Sequence, residues 1–166
     1  MPHRELLLKI ALPPVPTDLW SRRAMRHLEA AINFGHAAAK HPAGSAANSG
    51  AVLGALMTYS RPFTERADSA VNQTPAQRRC FLSLAADLGA DLRLHGILLQ
   101  MRDGVIALSD SVSSQVPRFD ARRFEYPDVR VGRITRALNP GEFCRLAASM
   151  RLACNFFQAE IEIRLL

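Results

Sequence analysis

Lysine is nearly missing from this chain. Lys9 and Lys40 are the only two, and the rest of the positive charge is arginine. Those arginines run from Arg4 to Arg164 and never gather into one long basic block. The net charge of +6 therefore permits a nucleic-acid or anionic partner without locating it. A solvated arginine-rich exterior accounts for the same charge. Aromatics are also scarce, at 7% of the 166 residues. Cysteine is limited to Cys80, Cys144 and Cys154, with no metal-ligand spacing among them and no even-numbered disulfide framework. They read as small core side chains of a protein kept in a reducing compartment, so the expected location is the cytoplasm. No apolar run approaches the length of a membrane span. The Leu6–Leu12 stretch is broken by Lys9 and followed by Pro13-Pro14, which does not read as a secretory leader. Neither HxxxH nor HExxH occurs, Gly44 and Gly50 lack a phosphate-loop lysine, and no serine lies in a nucleophile elbow. These absences argue against a metal site, a nucleotide-triphosphate loop and a serine hydrolase. No cofactor is expected.

What is present is apolar spacing of helical period. The length and the alanine and leucine content fit one domain, residues 1–166, with a substantial core. Residues 1–16, closing on Pro13-Pro14-Val15-Pro16, read as an extended arm. Thr17 or Asp18 is the expected cap of a first helix that carries Met25, Leu28, Ile32, Gly35 and Ala39 and closes at Lys40-His41-Pro42. A second helix is expected from about Ala47 to Ser60, stopped by Arg61-Pro62. Thr74-Pro75 opens a third, as far as Leu88, with Gly89 as its break. A fourth is expected from Ala90 to Leu108, with the stripe Leu94, Leu98, Met101, Val105 and Leu108. Residues 109–138 read as a polar insertion, irregular or with a short strand pair or extended arm around Val129, Val131 and Ile134. Asn139-Pro140 opens the last helix, whose inner face is Phe143, Leu146, Met150, Cys154, Phe157 and Ile161. The sum is an all-α antiparallel bundle of four or five helices.

The fourth helix carries the chemistry. Residues seven apart lie nearly above one another, so Arg102 stands over Ser109 and Asp103 over Asp110, beside the apolar stripe. An ordinary charged helix edge looks the same. The other reading is a groove lined by arginine and carboxylates. Arg61 closes the second helix, either as a cap on carbonyls or as a second cation near Arg102.

Arg102-Asp103 followed by Ser109-Asp110 resembles the arginine–histidine signature of HEPN (higher eukaryotes and prokaryotes nucleotide-binding) domains. Leu94-His95 with Leu98-Leu99 is similar to the lead-in of some bacterial members, and Tyr59-Ser60-Arg61-Pro62-Phe63 to a helix end in uncharacterised bacterial relatives. The likeness covers most of Asp18 to Glu160. It implies a helical bundle that dimerises, bringing two arginine–histidine motifs together to cleave RNA without a metal. Histidine would move protons near neutral pH, and arginine would stabilise the transition-state charge. This chain keeps Arg102 but has Leu108 at the histidine position, and leucine moves no proton. Losing a general acid or base typically costs about 10²–10⁴ in rate.

The expectation is a weak or inactive ribonuclease relative that acts by binding RNA, a nucleotide or a protein partner, through Arg61, Arg102, Asp103, Ser109 and Asp110. One alternative is a metal-independent endonuclease in which Arg102 works with His95. Those thirteen residues from His95 to Leu108 correspond to about 20 Å of helix rise, so His95 does not simply replace the missing group. The other alternative is a structural dimeric module without ligand.

Overall fold

The computed structural model describes residues 16–64, 73–113 and 139–165. Five helices are present among them: α1 Pro16–Ala39, α2 Ala46–Thr64, α3 Pro75–Asp87, α4 Leu92–Ser113 and α5 Pro140–Leu165. The described chain is all-helical. The residues expected as an arm before Pro16, and those around Val129, Val131 and Ile134 expected as a strand pair or second arm, lie outside the described residues.

α1 is the central helix, and its main partners are α2 and α5. Its buried row is Trp20, Ala24, Leu28, Ala31 and Ala38, mostly small side chains. Small residues let neighbouring backbones approach. At Gly35 a Cβ would lie 2.6 Å from Cys144 Sγ and 3.1 Å from the Phe143 ring, so any side chain there would have to displace them from between α1 and α5. Glu29 meets Arg151 on the same pair of helices, which makes them antiparallel. α2 also runs antiparallel to α1, since Asn48 donates to the Ala38 carbonyl at one end and Trp20 to the Pro62 carbonyl at the other. Strict up-and-down alternation would leave α5 parallel to α1, so that alternation is not kept through the five helices.

Trp20 fastens the far end. Its ring meets Phe63 and Phe81 edge-on, while Phe81 meets Phe157 of α5. Phe143, Leu146, Met150, Cys154 and Phe157 are all buried, as their helical spacing predicts.

The helix starts follow local chemistry. Thr74 and Gln77 form a reciprocal capping box on α3. Asn139 Oδ1 accepts from the amides of Gly141 and Glu142 at the head of α5. After α3, Gly89 takes φ +88°, and the amides of Gly89 and Ala90 return to the carbonyls of Ala86 and Ala85. That closure is the six-to-one, five-to-two pattern that glycine permits. Ala90 is therefore part of the stop, and Asp91 caps α4 by accepting from Arg93 and Leu94.

Several expected ends are corrected. α1 begins at Pro16, ahead of Thr17 and Asp18, because proline suits a first turn whose amides have no partner in any case. α2 runs to Thr64 with Pro62 inside it. Proline there costs the Thr58 carbonyl its in-helix donor. The side chains of Ser60 and Thr64 bond back to the carbonyls of Leu56 and Ser60 and accompany the continued turn. α4 runs to Ser113, so Leu108, Ser109 and Asp110 lie within the helix, and the first five residues of the expected insertion are helical.

Candidate functional site: an arginine-lined cavity between α2 and α4

The last two turns of α2 carry Met57, Thr58, Arg61 and Thr64 at positions i, i+1, i+4 and i+7. This spacing puts them on one side of the helix. Arg102 faces them from α4. Together these five residues line a shallow cavity of about 240 Å³. The structure thus brings Arg61 and Arg102 to one place, from positions 41 residues apart in sequence. Two threonines are there with them. A hydroxyl both donates and accepts, and a guanidinium only donates, so the wall is well supplied with donors for an anion. No ion-pair partner of Arg61 is found among the described residues.

Arg102 is half-tethered. Its Nη1 donates to Asp103 Oδ1 at 2.9 Å, with Asp103 largely in solvent. An exposed pair of this kind is worth about 0–1 kcal/mol, little enough to be exchanged for a ligand oxygen. Asp103 therefore acts on the site by holding Arg102, and it is not among the cavity-lining residues. Ser109 and Asp110 both lie about two turns beyond Arg102 along α4.

His95 precedes Arg102 by two turns, about 10 Å of rise. It is buried, at 7% exposure. Its Nδ1 lies 2.8 Å from the Tyr59 hydroxyl, and its ring meets Phe63 edge-on with centroids 4.8 Å apart. Burial, with the positive charge of Arg78 added, pushes the imidazole down to about 4. Burial also raises the Tyr59 phenol above its ordinary value. Both groups are neutral near pH 7, and one hydrogen is shared between them.

The Tyr59–His95 link joins α2 to α4 beside the cavity, from within the lining stretch of α2 and two turns before Arg102 on α4. With the Phe63–His95 ring contact it ties α4 to the same stretch of α2 that faces Arg102. Both motif segments singled out in the sequence contribute to it. Their pairing was not legible there, because nothing local in either segment points to the other. The roles of Met57, Thr58 and Thr64 were also missed, although their spacing around Arg61 is a detectable helical row. Among the described residues no group of three or more histidine, cysteine or acidic side chains converges as metal ligands. No helix searched is long and apolar enough to cross a membrane.

Comparison with known protein families, with characterised proteins and with solved structures finds no match for this chain.

Proposed function

We propose that this chain is a HEPN-like helical protein that binds RNA or a nucleotide through phosphate and is weak or inactive as a ribonuclease. The supporting observation is the convergence of Arg61 and Arg102, from two helices, on one cavity with two threonines. Arginine forks match phosphate oxygens, and the neighbouring hydroxyls add further hydrogen bonds. Leu108 at the expected histidine position leaves that segment without a proton carrier. His95 is neutral, buried and engaged by Tyr59, which suits holding the helices together. The protein is read as a homodimer whose two α4 helices bring their arginines together, and sedimentation at several concentrations tests that part.

The binding test is filter retention of a labelled RNA over a range of salt. Wild type should show affinity falling steeply with salt. Arg61→Ala and Arg102→Ala should each weaken retention and reduce the salt slope by about one. RNA should remain intact in a chelator-containing incubation. Metal-independent cleavage lost in both Arg102→Ala and His95→Ala, with the fold retained, would replace this reading by the endonuclease one. Retention that ignores both arginines would leave a structural module.

A further inference from the structure

The arginine cavity is too small to enclose a whole ligand. Pockets that do so have volumes of roughly 300–1,000 Å³, and this one is about 240 Å³ and open. It takes one group of something larger, and the rest of that molecule must lie on the adjoining surface.

That surface contains an exposed aromatic ring. Among the described aromatic side chains almost all are buried: Trp20, Tyr59, Phe63, Phe81, Phe143 and Phe157. Phe34 on α1 is 41% exposed, and Phe156 is the other exception, on α5. Phe34 is held against α2 by a glycine. A Cβ on Gly54 would lie 2.8 Å from both Cδ1 and Cε1 of the ring, so the contact exists only because Gly54 has none. The ring is thus fixed along one edge and open elsewhere.

Gly54, Met57, Thr58 and Arg61 follow one another at i, i+3, i+4 and i+7 on the same face of α2. Gly50, one turn earlier on that face, has open space where a Cβ would be. From Gly54 to Arg61 the helix rises about 10 Å, with the half-exposed Met57 between. An aromatic ring at one end and a cation pair at the other, joined by an open apolar strip, is the combination that holds single-stranded nucleic acid. Bases stack on the ring, and arginines hold the backbone. A duplex keeps its bases stacked inside and offers no free face to Phe34.

We infer that this face binds a single strand of RNA, with a base stacked on Phe34 and a backbone phosphate held in the Arg61–Arg102 cavity. The inference rests on the phosphate reading of those arginines and adds the strand specificity and the platform.

The test is fluorescence anisotropy of a labelled oligouridylate of about ten nucleotides, with inorganic phosphate and an RNA duplex as competitors. Phe34→Leu keeps an apolar side chain over Gly54 and removes the ring. It should weaken oligouridylate binding about tenfold while leaving competition by inorganic phosphate unchanged. F34W should keep the affinity, and its added indole emission should be quenched by unlabelled oligouridylate. This second variant keeps the test decisive if Phe34→Leu fails to fold. Duplex should compete poorly. Wild-type affinity in Phe34→Leu, no quenching in F34W, or equal competition by duplex overturns the platform. If Arg61→Ala and Arg102→Ala still weaken binding in that case, the phosphate reading survives alone. If neither arginine variant changes binding, the phosphate reading and this inference fall together.

Discussion

Replacing Tyr59 by phenylalanine deletes one oxygen and leaves the ring contacts to Phe63 and Phe143 in place. What is lost is the partner of His95 Nδ1. A buried polar atom left without a partner costs about 1–3 kcal/mol, so the urea midpoint of Tyr59→Phe should fall accordingly. His95 also sets a pH dependence. Its imidazole ionises at about 4 in the fold, against about 6.5 in an unfolded chain. Above pH 6.5 neither state is protonated, and the stabilising effect of the buried neutral ring is fully present. Between 6.5 and 4 only the unfolded chain takes up the proton, so stability falls by about 1.4 kcal/mol per pH unit. The loss is complete once the pH has passed below the folded value. His95→Gln should flatten that part of the profile relative to wild type when denaturant midpoints are measured from pH 7 to pH 4.

Among the helices, the capping box of α3 is the most self-contained device. Thr74→Ala removes one of its two bonds and should cost about 1 kcal/mol, read from the shift in thermal midpoint. Gly35→Ala acts at an interface. It places a methyl group against Cys144 and Phe143, and overpacking of this kind costs about 1–3 kcal/mol. Both predictions bear on what could be read in advance. The starts at Pro75 and Pro140 were legible because threonine, asparagine and proline act within their own turn. The stop at Gly89 was legible for the same reason. The ends of α2 and α4 were not. Pro62 stays helical with Phe63 buried against Trp20 and its own carbonyl bonded to the indole, and that tertiary setting outweighs a local rule. In the candidate site, Arg61 and Arg102 were individually visible as cations on helices. Their common cavity depends on how α2 and α4 pack, a tertiary arrangement that includes the Tyr59–His95 bond and that no local pattern encodes.

At the scale of the molecule, the excess of six positive charges gives any anionic strand a general attraction that salt screens. The arginine cavity and the Phe34 ring should appear above that background as effects on affinity that persist after the general attraction has been screened. The body that presents them is organised around α1, with α2 and α5 antiparallel to it and α3 closing one end. At that end lies the chain's one tryptophan. Trp20 touches rings from α2 and α3 and donates its indole hydrogen to α2, so its surroundings exist only while three helices are assembled. Its emission is consequently a built-in optical gauge of the assembled core, needing no label. A shift to longer wavelength should coincide with loss of helical ellipticity if the domain melts as one unit, and should precede it if α3 comes away first.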